Sequence, residues 1–477
     1  EPGRNVISDN GWDAIWCAYT ALPFSPQSGG CTIVGNNIGT DKAGNVAIAN
    51  DERNNSCIGF CLITDTVWVS PGDLDLVVVG SPGGTTPGGA CTGFCNLISG
   101  NYHPDNFGGG GLFRSGFGIA LAVNNYLGTN RAGTAALPNN SGSWGYYGGI
   151  IFGTEFSDGN GGTIAGGNLA SGNKGAGFIL TAKEVGGIFE ISSNLVGMSS
   201  DGNNPIPNGI GNSGGAGMNI STAAGTQATI GGTDLLQKNV IGATTDDGFA
   251  GGDGLSLATY GTTRVINNWI GLNKFGAPLP NTGNGISVTG TGRTFIGGVG
   301  GNENNVIFGN GKAGVAVFNF IGGFSNVVTN RVTIRGNIIA SNGGLGIDLF
   351  NATQANQGPD GVTPNDCQDF DTGANGLQNF PELFAPVPTA NGGISVDAVL
   401  RSSPSEPFTI DFYTNNAADP TNYGEGANYI GSSNVKTDGN GFVGFTFVSP
   451  NPVDPAKKIT ATATDSKGNT SEFSCIA

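Results

Sequence analysis

The sequence predicts an all-β chain in which a solenoid of short strands is followed by a β-sandwich. Three observations lead there. Charged residues make up only 11 % of the 477 positions, too few for helices laced with Glu and Lys pairs. Glycine occurs 87 times, about 18 % of the chain against a usual ~7 %, yet without the third-residue period of collagen. It therefore belongs to turns. Finally, Asn-centred segments recur along roughly the first 350 residues, and such self-similarity marks a repeat architecture.

Two segment types alternate. The first reads Asn-x-Ile/Leu, a small residue and often Gly-Asn: Asn5 to Asn10 (NVISDN), Asn96 to Asn101, Asn168 to Asn173, Asn239 to Gly242 and Asn305 to Asn310. The second reads Asn-x-Ile-Gly-x-Asn/Asp and can run on to Leu-Pro-Asn: Asn37 to Asp41, Asn125 to Asn139, Asn194 to Asn208 and Asn268 to Asn281. Successive anchors of the first type are 91, 72, 71 and 66 residues apart. Between them lie short alternating runs such as Gly285 to Val288 and Thr294 to Gly297, each a strand of three to five residues. No helical pattern separates them, so the crossovers of a doubly wound sheet are missing. With ~20 to 25 residues per rung, each period supplies roughly three rungs and the repeat region a dozen or more. Asn suits the corners because it tolerates left-handed backbone and its amide can bond to the same amide one rung away. Ile, Val and Leu then stack inward.

These segments, with Asn337 to Leu349 and Asp360 to Leu383, resemble a large family of bacterial extracellular right-handed parallel β-helix proteins over most of the chain. The resemblance implies a right-handed parallel β-helix at 1–380, with N-terminal loop insertions, and an immunoglobulin-like β-sandwich at 381–477. It also implies a place on the cell surface, and it assigns no catalytic residue. The sandwich has its own pattern: apolar runs at 394–400, 408–413, 429–433, 442–448, 459–464 and 471–475, split by turns such as Asp438 to Gly441. Pro381, Pro386 and Pro388 make the junction extended and stiff.

The formal charge of −16 and a pI near 4.3 lack the basic footprint of a nucleic-acid binder. No apolar stretch approaches the ~20 residues of a membrane span. Eight cysteines in a Lys-poor chain point to an oxidising, extracellular setting and to disulfides. The expected pairs are Cys17 with Cys31, local or crossed pairs among Cys57, Cys61, Cys91 and Cys95, and Cys367 with Cys475. Four thiolates from the two CxxxC pairs are the zinc alternative.

Candidate chemistry sits in three places. Asp360, Asp366, Asp369 and Asp371 crowd a Gly- and Asn-rich loop and offer hard oxygen ligands to calcium; the alternative is a solvated linker whose aspartates cap turns. Asp246, Asp247 and Asp253 form the one carboxylate group suited to glycosidic cleavage by a lyase or hydrolase, while the sole His103 stands in Tyr-His-Pro rather than in a Gly-His-Gly of the polygalacturonase kind. Trp12, Trp16, Trp68, Trp144, Tyr146 and Tyr147 gather in the N-terminal third, as a glycan-stacking face, a subunit contact or core. The first Asn segment starts at Asn5 without the Ile-Gly-Gly strand that precedes Asn239 and Asn305, so the first rung is expected to present an open edge for head-to-tail assembly into a filament or surface layer. The expected function is that of a secreted structural or adhesive protein whose partners are copies of itself, other surface proteins or glycans.

Overall fold

A computed structural model describes residues 3–10, 14–18, 31–50, 67–70, 76–81, 89–102, 110–114, 118–146, 149–157, 162–182, 188–211, 215–246, 251–322, 325–350, 360–417 and 420–477. The chain divides into two compact units, Glu1–Ser256 with Asn267–Gly283, and Leu257–Ile266 with Asn284–Ala477. Each carries the same three-sheet parallel coil. In the first unit one turn runs through Tyr126–Leu127, Ser141–Tyr146 and Gly149–Phe152 before returning to Leu169–Ala170, which pairs in parallel with Tyr126–Leu127. The second unit repeats this with Ile286–Thr289, Arg293–Gly297 and Val306–Phe308.

The inward row of the first sheet is aliphatic: Ile38, Ile98, Leu127, Ala170, Val196, Ile241 and Ile270 are all fully buried and in register. Each larger member contributes about 1.5–3 kcal/mol of transfer free energy. At the corner before this sheet the asparagines stack. The Nδ2 of Asn36 donates to Oδ1 of Asn96 at 3.0 Å, and the chain of amides continues through Asn125, Asn168, Asn194, Asn239 and Asn268 at 2.9–3.0 Å. The second N–H of each amide satisfies a backbone carbonyl near the end of the preceding strand, as Asn194 does for Phe152. A second ladder at the next corner joins Asn10, Asn50, Asn101, Asn139, Asn173 and Asn208. In the C-terminal unit Asn305 bonds Asn337 and Asn310 bonds Asn342.

Both segment types therefore enter the same sheet as successive coils, two per period rather than three. Steps along the ladder are 29, 43, 26, 45 and 29 residues, longer than the expected rung, because insertions enlarge the coils. Among the described residues this sheet has eight strands in the first unit, and the corresponding sheet of the second unit has two, against an expectation of a dozen or more rungs. The register also shifts at one place: Asn36, not Asn37, stands in the ladder, while Asn37 donates to the carbonyls of Asp41 and Lys42.

The extra residues of the second segment type form corner hairpins, closed by the bridges Thr40–Ala47, Thr129–Ala136, Met198–Pro205 and Leu272–Pro278. Asp41, Asn130 and Asn273 cap their turns by accepting backbone N–H groups. The hairpins stack on one another: Arg131 N–H donates to Gly44 O, Ser200 N–H to Gly133 O and Lys274 N–H to Gly202 O. Gly133 has φ +67°, and a Cβ there would meet Ser200 Cβ at 2.5 Å, so only glycine fits. This ridge belongs to a second apolar cluster built on the outer row of the same sheet, Leu97, Tyr126, Leu169, Leu195 and Val240.

In the C-terminal unit two antiparallel sheets follow the coil. One contains Ile394–Arg401 and Phe442–Val448, the other Asn428–Lys436, Pro407–Asn415 and Lys458–Asp465. They share a core of Val396, Leu400, Ile410, Phe412, Phe447 and Ala461. The Pro-rich junction joins this region, since Glu382–Leu383 and Val387–Pro388 both pair with Ile394–Arg401, whereas the apolar run at 471–475 forms a single isolated bridge, at Cys475, rather than a strand.

This region closes the last coil on all three sheets. Glu425 accepts the N–H groups of Ser341 and Asn342 and the Asn342 side-chain amide, taking the place of a further ladder asparagine. Asn375 and Thr470 satisfy the backbone of Val332 and Ile334, and Glu472 accepts the N–H of Leu349. Arg335 grips the fully buried Asp411 through two bonds of 2.6 and 2.7 Å.

Asn194→Ala removes a buried amide that serves four partners, leaving several groups unsatisfied at about 1–3 kcal/mol each. The expected loss is about 3 kcal/mol, read as a lower guanidinium midpoint. The exposed Asn203→Ala, at a hairpin turn, is expected to change stability by less than about 0.5 kcal/mol.

Candidate functional site

The parallel register gathers the aromatic candidates. In the second sheet of the first unit Trp16 pairs with Trp68, Trp68 with Phe113 and Phe113 with Trp144, on four consecutive strands. Residues in register on parallel strands share a face, so these four positions form one row. Trp16 is 70 % exposed. Beyond Trp144 the register continues through Ile179 and the exposed Asn219. Tyr146 lies two residues further along the strand of Trp144. Trp12 and Tyr147 lie outside the described residues. Disulfide Cys17–Cys31 ties the Trp16 strand to the segment that opens Thr32–Ile33. Phe113 and the register were not legible as a set in the sequence, because the loops between the strands differ in length.

The acidic loop separates into two clusters. Carboxylate oxygens of Asp366, Asp369 and Asp371 lie within 4.8 Å of one another. Asp366 accepts the N–H groups of Phe370 and Asp371, and Asp369 those of Asn379 and the Ser402 hydroxyl. Burial, and then the charge of Asp366, push Asp371 up to about 6, and burial does the same for Asp369. Asp360 is not in this group. Two further buried acids, Asp348 and Glu472, went unread in the sequence because they lie inside a strand and a tail with no acidic neighbours in sequence. Burial, then the charge of Asp360, pushes Asp348 up to about 8, and burial pushes Glu472 up to about 8.

The catalytic candidates are described only in part. Asp246 is exposed, Asp253 is buried beside Gly283, and Asp247 lies outside the described residues. A cleft of about 430 Å³ occurs elsewhere, lined by Ile164, Leu195, Leu235, Leu236, Lys238 and Lys274 among others. Burial holds Lys238 below the usual lysine range, and its ammonium sits 3.8 Å from the centre of the Trp269 ring. That pairing gives the cleft a cationic wall on an apolar floor.

Cys91 bonds Cys95, a local pair, and Cys57 and Cys61 lie outside the described residues. The expected Cys367–Cys475 bridge is absent: both are exposed free thiols. They are held on different sheets. Cys475 bridges Tyr423 beside the strand Lys458–Asp465, while Cys367 lines a cleft with Arg401 and Phe442 of the other sheet.

No protein-family model matches the chain, and no curated protein does. Among solved structures, the enzymatically active domain of tailspike protein 4 from bacteriophage CBA120 aligns at 13 % identity and a TM-score of 0.16, covering 86 % of this chain. The alignment spans 62 % of that domain, and so low a score is no evidence of common structure or activity. Among the described residues no helix is long and apolar enough to cross a membrane.

Cys367→Ser and Cys475→Ser are each expected to remove one equivalent of thiol labelling from the native, unreduced chain in an Ellman assay. For the buried acids, the folded chain keeps protons on Asp348 and Glu472 up to about pH 8, while the unfolded chain releases them near pH 4. The folded state then binds more protons across that window, so in chelator stability falls as pH rises from about 5 to 8 and flattens above. Asp348→Asn is expected to lessen that slope in denaturant titrations.

Proposed function

We propose that the chain is a secreted, cell-surface structural and adhesive protein, a stiff coil whose outer aromatic row holds glycan. The observation that supports this is the register of Trp16, Trp68, Phe113 and Trp144 on four consecutive strands. Strands spaced about 4.8 Å apart bring four aromatic positions to regular intervals, and aromatic residues are the type that stacks on the apolar faces of successive sugars. Disulfides Cys17–Cys31 and Cys91–Cys95 suit an oxidising compartment. The amide ladders supply stiffness, since within the first unit they bond coil to coil at one corner from Asn36 to Asn268 and at a second from Asn10 to Asn208.

Two further readings belong to the same proposal. The C-terminal sheets are an immunoglobulin-like module, supported by their antiparallel pairing around one core. Calcium binds at Asp366, Asp369 and Asp371, supported by the convergence of their carboxylates. Assembly into filaments or layers would use the outer row or the C-terminal module, because the last coil's backbone edges are already satisfied by Glu425, Asn375, Thr470 and Glu472.

A glycan array, repeated with Trp16→Ala and Trp144→Ala chains, tests the central claim. Binding is expected to weaken about tenfold or more in each variant, with the melting temperature nearly unchanged for exposed Trp16. A wild-type chain that binds no glycan, or variants that bind as well as wild type, would refute it. Loss of dimers or filaments in the variants, without any glycan signal, would assign the row to contacts between copies instead.

A further inference from the structure

In the first unit the outer row of the first sheet carries Leu195, Val240 and Trp269 in register on successive strands. Leu195 and Val240 line the cleft of about 430 Å³, a size usual for small-molecule sites. One wall is the strand Thr163–Ala165, held antiparallel to Glu155–Ser157. The other is the short 3₁₀ turn Leu235–Gln237. Asp234 caps this turn by accepting the Leu236 N–H, the Gln237 amide donates to Glu155 at 3.2 Å, and the Ser193 hydroxyl donates to the Leu236 carbonyl at 2.7 Å. The walls are thus fixed by their own bonds, and Leu235 is nonetheless 66 % exposed. Lys238 follows the turn and lines the cleft. Its ammonium lies 3.8 Å from the centre of the Trp269 ring, and among the described residues it donates no hydrogen bond and has no carboxylate at ion-pair distance. Acids outnumber Lys and Arg by 35 to 19 in this chain, so a shortage of carboxylates does not explain it.

We propose that this cleft binds an aliphatic monocarboxylate of the medium-chain fatty-acid kind, its chain against Leu195, Leu236 and Val240 and its carboxylate on Lys238. The Trp269 ring takes one side of the ammonium and leaves other N–H donors for an anion. Such a bond is charge-assisted, and it stands beside apolar surface that raises its strength. Lys274, exposed on the corner hairpin closed by Leu272–Pro278, adds positive charge to the lining. The remaining lining selects an aliphatic body. Thr163 and Ser193 bring the only hydroxyls, and that of Ser193 is already donating to Leu236, so a sugar placed here would leave most of its own hydroxyls without partners. Burying an alkyl chain against leucine, isoleucine and valine instead removes apolar surface from water on both sides. The cleft is separate from the aromatic row, and the proposal does not depend on the glycan reading.

The test is calorimetric titration of the full chain at pH 7.5 with decanoate below its micellar concentration, and with decanol as the uncharged control. Wild type is expected to bind one decanoate per chain, about tenfold or more tighter than decanol. Lys238→Met keeps an apolar stem over the Trp269 ring and is expected to abolish that preference, weakening decanoate about tenfold while decanol binding stays as it was. The exposed Leu235→Ser, which carries no folding risk, is expected to weaken decanoate and decanol alike, severalfold. A wild-type chain that binds no decanoate would overturn the proposal. So would decanoate binding that survives Lys238→Met undiminished, or binding that neither Lys238→Met nor Leu235→Ser alters, which would place the ligand elsewhere on the chain.

Discussion

The side-chain amide at each coil corner is the interaction on which this structure rests. A coil must turn between sheets while keeping its interior dry, and each turn leaves backbone N–H and C=O groups facing inward. Asparagine answers this because one planar group offers two donors and an acceptor. Asn168, for example, donates to Ala122 O and Asn194 Oδ1 and accepts from the amide of Asn125. Aspartate in that row would be acceptor only and would repel its copies above and below. Glutamine would need to order a longer chain. The ladder is therefore chemically selective, and it explains why the repeat survives large differences in rung length.

The same requirement recurs where the coil stops. An open last rung exposes three strand edges and the ends of two ladders. The C-terminal sheets answer each separately, with side chains standing in for the missing rung: the Glu425 carboxylate for the next asparagine, the Asn375 amide for a strand backbone, Glu472 for a carbonyl. The ion pair of Arg335 with buried Asp411 adds orientation, since the bidentate guanidinium accepts one geometry. The C-terminal region thus acts as a polar cap with its own apolar core. Acidic residues serve well in this role because every group at a parallel edge that faces them as an orphan N–H is a donor, but they concentrate negative charge at the junction.

Most of the fold and some of the candidate site could be read from residue order. Asn5, Asn96 and Asn168 announce the corners, and the strands from Ile394 to Asp465 announce themselves by alternation. What misled was length: the inserted hairpins at Thr40–Ala47 and Thr129–Ala136 look like additional rungs when only spacing is counted. At Asn36 and Asn37 the choice between two adjacent amides has no local signal, because only the neighbour at Asn96 decides which one is in line. Cys367 and Cys475 were expected to pair, yet both are free and each is held by a different sheet.

The order of residues alone determined the building unit, since a corner amide, a small residue and an inward aliphatic are local requirements that every rung must meet by itself. Its low charge content also matches the absence of long helices among the described residues. Which residues become neighbours across rungs was decided only in three dimensions. Trp16, Trp68 and Trp144 fall into one row because parallel pairing carries register across loops of any length, and Glu472 reaches the N–H of Leu349 because the chain returns to cover its own last edge. Proximity between residues far apart in sequence depends on stacking and closure, and those are properties of the assembled coil.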